Sequence, residues 1–483
     1  MIVLCTTTAV AALAIGQVST IAADISIHPI RSTYLTVPRP GAPETILVIG
    51  DDHSGPYDPQ CGCHLLHADT FMLVRMDPAQ GQTSIMSIPR DMLVNFTWHG
   101  VTYDDQKFNS AYAIGATPTS GNDQLVLKVA HQILPGVTIN HFVDINFDAF
   151  IGVVRAIGCV YVDVDHRYLN NDDPAYQPIN LQPGYQRLCA EPALSYVRYR
   201  HDDSDFVRVA RQQDFIRQAK EQLGLFNLVG KLDQIAKAFG QAIRTDIAGV
   251  KTVNQLLTLV AFSQSRPIRQ VPFQYASADT WIGNEEYVTS TPRLIRRSIR
   301  DFLYENPLAK APPSSSATPT PPTTARRPAH HPAHSAPAHV SGLVPLSAGV
   351  TDQAAQLSVR VPFAVELPSL QTDQATPNDF HAYTVPDEQG HEHEGYRIDW
   401  YDAQAGLYYG IEGMNWTDPP LFANPTATAT IDGRTYMFID DGSHFHDIGW
   451  RQGGELYWVS NTLLESLSNA QMLALAESAT PTA

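Results

Sequence analysis

Residues 308–343 read LAKAPPSSSATPTPPTTARRPAHHPAHSAPAHVSGL, and that stretch decides how the rest of the chain can fold. Proline, serine, threonine and alanine at this density bury too little apolar surface to offset the entropy of ordering a backbone, so the stretch is read as a disordered linker. It divides the 483 residues into two parts, each long enough to bury a core. Residues 44–306 form the first part and 344–478 the second, with the Pro/Ser/Thr/His-rich linker spanning 307–343. Ahead of them lie an apolar segment at 1–25 and a Pro-containing connection at 26–43.

The apolar segment carries no charged side chain over residues 1–23, close to the roughly 20 residues that a membrane-spanning helix needs. It lacks the Lys/Arg flank of a secretory signal. It is read as a single-pass membrane anchor, with the remainder outside the cell, or as a cleaved signal segment that leaves a secreted protein. Cysteine usage fits that side of the membrane. Cys5 falls in the apolar segment, leaving Cys61, Cys63, Cys159 and Cys189 as an even set, which suggests disulfides in an exported chain. Cys159 and Cys189 flank an irregular stretch at 167–183 and are expected to be bridged. The spacing alone does not fix the pairing. The run CGCHLLH at 61–67 suits a local or loop-closing disulfide better than zinc, because CxC is not the usual finger spacing. A net charge of −17 argues against a nucleic-acid partner.

From residue 44 the pattern alternates. Short apolar runs at 45–50 (TILVIG), 70–76 and 83–88 have the length and β-branched content of strands. Residues 125–134 read as a helix, 141–147 as a strand, and Phe147, Phe150, Val154 and Ile157 recur at helical spacing. A strand follows at 160–164, then a long helix at 205–223 with Val209, Ile216, Ala219 and Leu223 on one face. Helical patterning over 228–263, a strand at 269–273 and a helix at 292–304 complete the part. Alternation of this kind predicts an α/β fold whose sheet is covered on both faces. In the second part, Asp432–Gly433, Asp441–Gly442 and Gly453–Gly454 sit between apolar runs as hairpin turns, and Ser468 with Gln471 is spaced as a capping box. A separate, small α+β accessory domain is predicted there. Its histidines (His391, His393, His444 and His446) read first as surface residues and only second as metal ligands.

The chemistry-bearing residues lie in the first part. The strand at 45–50 runs into Asp51 and Asp52, and Asp69 precedes the strand at 70–76. If those strands are antiparallel or offset, Asp52 and Asp69 converge on the crevice at the strand ends, where ligands bind in such sheets. Two carboxylates there suit Mg²⁺ (or Mn²⁺); the alternative is a turn and a cap. Arg90 follows the next strand, and Arg198, Arg200, Arg208 and Arg211 cluster further on. Guanidinium forks match phosphate oxygens, so this concentration in an acidic protein points to an anionic ligand. Ion pairs with Asp202, Asp203 and Asp205 would account for one or two of these arginines.

Six stretches carry a resemblance: ILVIGDD, ADTFMLVRMDP, SIPRDM, KFNSAYAIG, FVDINFDAFIGVVRAIGCVYVDV and ALSYVRYRHDDSDFVRVARQQDF. In that order, over roughly 45–223, they resemble the LytR-CpsA-Psr family of cell-envelope enzymes. The resemblance implies an α–β–α sandwich with a pocket for a polyprenyl chain. It also implies transfer of a phosphate-linked, teichoic acid-like glycopolymer from a polyprenyl-pyrophosphate carrier to peptidoglycan, assisted by Mg²⁺. The implied partners are the lipid-linked glycan, peptidoglycan and the membrane. Carried over, Asp52 and Asp69 hold the metal. Arg90, Lys107, Arg198, Arg200, Asp205, Arg208 and Gln212 bind the pyrophosphate, and Asp52, Asp69, Arg90 and Arg200 are the catalytic residues. Asp52, Asp69 or Asp205 accepts the nucleophile's proton. Ser54 and His67 stand where the family usually has basic residues, so two phosphate contacts are expected to be weaker, or pH-dependent through His67. The alternatives are a polyprenyl-pyrophosphate hydrolase, with pyrophosphatase activity in place of transfer or beside it, and a non-catalytic binder of wall polymer or lipid carrier.

Overall fold

A computed structural model describes residues 30–52, 68–116, 120–171, 178–200, 204–223, 231, 234–235, 243–263, 267–304, 340–441 and 443–482. The apolar segment at 1–25, His53, Ser54, the CGCHLLH run with His67, Asp202, Asp203 and the linker up to residue 339 lie outside these residues. No helix among the described residues is long and apolar enough to cross a membrane.

The first part is built on a mixed sheet of six strands. Its early strands are β1 (Glu44–Asp51), β2 (Ala68–Asp77) and β3 (Gln82–Ser87). Next come a hairpin of β4 (Leu93–Trp98) and β5 (Val101–Lys107), then β6 (His141–Ile145) and β7 (Val160–Val164). The remaining strands of this part that matter here are β8 (Tyr168–Asn170), β9 (Ile179–Leu181), β10 (Gly184–Leu188), β11 (Ile243–Thr245) and β12 (Ile268–Gln270). The sheet runs in the order β11-β6-β1-β2-β3-β12. β1 is parallel to β6 and antiparallel to β2, and β12 is parallel to β3.

Period-two alternation along β1 sends Leu47 and Ile49 to one face and Ile46 and Val48 to the other. On the first face Leu47, Ile49, Phe71, Leu73, Met86 and Ile88 pack against helix α1 (Asp123–Ile133) and a later helix at Pro292–Leu303. On the other, Ile46, Val48 and Val143 pack with Ala149 and Ile247, and the helix Gly249–Ser263 lies against β2 and β3. Both faces are therefore covered, as the alternation predicts.

Beyond β6 the chain forms α2 (Phe147–Ile157), α3 (Ala190–Arg198) and α4 (Asp205–Gln222), which build a second core with β7. Cys159 and Cys189 are disulfide-bonded, 30 residues apart, and join the end of α2 to the N-cap of α3. Helix α4 departs from the amphipathic reading. Ile216 is exposed, while Arg208, Arg211, Gln213, Asp214, Arg217 and Gln218 are buried. Those polar side chains are buried because each is bonded. Gln218 accepts the Asp163 amide at 3.1 Å, and Gln222 pairs both ways with the Tyr161 backbone at 2.8 and 2.6 Å. Two glutamines four apart thus stand in for a neighbouring strand along β7.

The second part is a seven-stranded antiparallel sheet with a core around Ile398, Trp400, Ile411 and Trp450. The hairpin turns at Asp432–Gly433 and Gly453–Gly454 are present, with positive φ at all four residues. The Ser468–Gln471 capping box starts the helix Asn469–Ser478.

This part packs directly against the first. Tyr161 and Tyr185 of the first part share one apolar cluster with Val385, Met414, Phe422 and Trp458 of the second. The fully buried Arg397 bonds Asp163 at 2.6 Å, pairs with Glu412, and donates from Nε to the Asp165 carbonyl at 3.1 Å. Gly184 lies against the Tyr383 ring, which leaves no room for a Cβ. Residues more than 200 apart meet here, which no local pattern records.

Candidate active site

The antiparallel pairing that the crevice requires is present. Gly50 faces Thr70 and Asp51 faces Ala68, so Asp69 is the extra residue of a β-bulge. Bulges re-aim side chains at sheet ends. Here the bulge sets an aspartate beside two arginines from other elements. Arg90, in the turn after β3, bonds the Asp69 carboxylate and lies 3.6 Å from Asp205 and 3.2 Å from Asp91. Arg208, on the first turn of α4, donates to the Asp69 carbonyl at 2.9 Å, meets Asp205 at 2.5 Å and stands 3.9 Å from the Asp69 carboxylate. Arg200 lies 4.0 Å from Asp205. Three guanidinium groups therefore converge on Asp69 and Asp205.

Burial pushes the Asp69 carboxyl up, but Arg208, Arg90 and Arg200 together outweigh it and hold the group below its ordinary value. Burial also pulls Arg208 down, against Asp205 and Asp69. Only 2% of the Arg208 side chain is exposed, and its Nε is buried without a hydrogen-bond partner. A buried donor of this kind is unusual and costs of order 1–3 kcal/mol.

The other sequence candidates lie at varied distances from this centre. Lys107 pairs with Asp91 at 3.7 Å and Glu285 at 3.1 Å, so it joins the cluster through Asp91. The Arg198 guanidinium sits 3.8 Å from the centre of the Phe147 ring. Gln212 accepts from Thr70 at 3.1 Å and donates to the Val197 carbonyl at 3.1 Å, tying α4 to β2 and α3. Arg211, grouped with the anion-binding arginines in the sequence reading, is fully buried over Tyr168 and bonds the Tyr199 carbonyl at 2.8 Å. It fixes the fold around the site.

Asp51 and Asp52 are told apart by a contact that spacing could not give. The Tyr112 hydroxyl lies 2.8 Å from Asp51 and 2.9 Å from Asp144. One hydroxyl proton cannot serve both carboxylates. Burial, with Asp51 and Asp123 nearby, pushes the Asp144 carboxyl well up, against Arg244 at 3.5 Å. Asp51 is thus held in a buried network, and Asp52 follows it at the strand end. Asp144, a carboxylate inside the apolar strand β6, was the available sequence signal for this network.

Next to the arginine cluster lies a cleft of about 1190 Å³. Pro89, Phe206, Val209 and Phe273 line it, and the second part closes it with His444, Leu463 and Leu464. Phe206 stacks on Tyr275 at 4.3 Å. The contribution of the second part was not visible in the sequence.

Residues 18–298 match the sequence model of the LytR_cpsA_psr family. The chain is 30% identical over 211 residues to the polyisoprenyl-teichoic acid–peptidoglycan teichoic acid transferase TagU of Halalkalibacterium halodurans, covering 42% of this chain and 61% of that one. It is 27% identical over 222 residues to TagT of Bacillus subtilis, a transferase of the same name, covering 44% and 64%. The matched region thus spans less than two thirds of these relatives' own length. The crystal structure of B. subtilis TagV aligns with a TM-score of 0.43 at 23% identity, over 54% of this chain and 96% of that one.

Proposed function

The chain belongs to the LytR_cpsA_psr family, and from that premise we propose that it transfers a phosphate-linked glycopolymer from a polyprenyl-pyrophosphate carrier to peptidoglycan. The observation that carries the reading is the convergence of Arg90, Arg200 and Arg208 on Asp205, which lines an apolar-walled cleft, with Arg90 and Arg208 also meeting the bulged Asp69. A pyrophosphate leaving group gains negative charge as its P–O bond breaks, and positioned guanidinium groups stabilise that charge. Arg208, with a buried Nε lacking a partner, is suited to a further oxygen acceptor. The cleft beside Asp205 would take the first part of the lipid chain.

Asp69, held ionised by its arginines and with a side chain 42% exposed, would offer one carboxylate to a divalent ion, and Asp52, just past the end of β1, would offer the second. Mg²⁺ or Mn²⁺ bound there would add positive charge beside the pyrophosphate. Asp52, Asp69 or Asp205 would take the proton of the attacking sugar hydroxyl, with Asp69 weakened as an acceptor by the arginines that hold it below its ordinary value. The reaction belongs outside the cell. Segment 1–25 would serve as the anchor, and the Cys159–Cys189 bond supports an oxidising compartment.

The test is incubation of the purified chain, in detergent, with a lipid-linked oligosaccharide, peptidoglycan oligomers and Mg²⁺. A joined product that disappears with Asp69→Ala supports transfer. Lipid phosphate released with no joined product supports the hydrolase. If the wild-type chain gives neither product, the reading fails.

A further inference from the structure

We propose that Asp441, His444, His446 and Glu465, on the rim of the cleft, form a binding site for a divalent transition ion of the zinc class. Asp441, His446 and Glu465 offer ligand atoms that all lie within 4.8 Å of one another. His444 Nδ1 lies 3.1 Å from Glu465 Oε2, and His446 Nδ1 lies 3.0 Å from Glu465 Oε1. His446 is the second residue of the strand Phe445–Gln452, and His444 lies in the bend just before it, with Glu465 between the two imidazoles. Two imidazoles and two carboxylates are a donor set for zinc, whereas Mg²⁺ favours oxygen alone.

A plain ion-pair cluster leaves atoms unexplained. Glu465 Oε1, although 3.0 Å from His446 Nδ1, is buried with no hydrogen bond, so the two atoms approach out of line. The His446 side chain is 7% exposed, and its Nε2 is likewise buried without a partner. A metal ion would engage such buried nitrogen and oxygen atoms, which the protein itself leaves without partners. The scaffold is also fixed in advance. Asp441 accepts the Ser443 and His444 amides at 2.7 Å each, which orients its carboxylate. Asn461 and Asn469 tie the loop that carries Glu465 to the backbone of 443–446. Arg217, whose charge acts on His446, is already matched by Asp214, Glu221 and Asp447. An ion here would clamp the loop whose Leu463 and Leu464 wall the cleft.

The test is direct zinc measurement on the full chain after chelator treatment, gel filtration and titration with ZnCl₂. Asp69→Ala should retain an equivalent that both His446→Gln and Glu465→Gln lose. His444→Ala, at a half-exposed position, should weaken binding by about tenfold or more with an unchanged circular dichroism spectrum. That variant keeps the test decisive if a buried substitution unfolds the chain. The His-rich linker and the CGCHLLH run also carry zinc-type ligands, and these variants separate them from the proposed site. Zinc retained equally by His444→Ala, His446→Gln and Glu465→Gln, or no zinc retained by the wild-type chain, would overturn the proposal.

Discussion

At the scale of single residues the site depends on fork geometry as well as charge. Arg208 meets Asp205 and the Asp69 carbonyl through one nitrogen, which a lysine ammonium could partly replace, but a lysine offers no second arm toward a phosphate. Arg208→Lys is therefore expected to lower the transfer rate about 100-fold, the usual effect of losing one positioned donor. The thermal midpoint should fall only slightly, and steady-state assays with melting curves check both. The arginines and Asp205 were legible because they lie in short local strings. The Asp51–Tyr112–Asp144 network was not, since its members are 61 and 32 residues apart. A second residue-level effect concerns pH. Burial would lower the His141 pKa, but hydrogen bonds to Asp246 and Glu44 outweigh that and raise it to about 9. A raised histidine stabilises fully below its unfolded value of about 6.5 and loses that contribution as pH rises through about 9. Unfolding free energy in urea should thus fall by about 1–3 kcal/mol between pH 6 and pH 9.5. His141→Gln should flatten that slope, and an equally steep slope in the variant would refute the assignment.

At the scale of elements, local signals were readable wherever the sequence pays its own local cost. The Ser468 capping box and the Asp432–Gly433 turn need only neighbouring residues. Helix α4 misled because its inner face is polar, and its glutamines are satisfied by the edge of β7. The disulfide lies between these cases: the even cysteine count suggested a bridge, while the meeting of α2 and α3 supplied the geometry. Closing a loop of 30 residues removes unfolded-state entropy worth about 3–4 kcal/mol in the chain-entropy account. Cys159→Ser with Cys189→Ser should therefore lower stability by up to that amount in urea titrations. Of the arginine cluster only Arg200 follows α3, while Arg90 and Arg208 are carried by the β2–β3 end of the sheet and α4, so residual activity at low temperature should persist. Loss of activity with unchanged stability would place the bond in the site itself.

At the scale of the molecule, the Pro-rich tract marks off two parts, and a buried ionic network joins them. Arg397 is fully buried in the second part, yet Asp163, one of its two acidic partners, belongs to the first, as does the Asp165 carbonyl that its Nε meets. Asp163 also accepts from Trp458 at 3.1 Å, and Glu412 accepts from the Tyr185 amide at 3.2 Å. Truncating Arg397 strands two carboxylates away from water, a change that typically costs 3–5 kcal/mol in other buried pairs. Arg397→Ala is therefore expected to destabilise the whole chain by about that much, in a single unfolding transition. The change should appear equally in tryptophan fluorescence, which reports mainly on the second part, and in transfer activity, which reports on the first. Two independent bodies would respond differently: fluorescence would shift while activity kept its wild-type midpoint. Because the second part also walls the cleft beside Asp205, loosening this network should raise the KM for the lipid-linked substrate before the fold is lost.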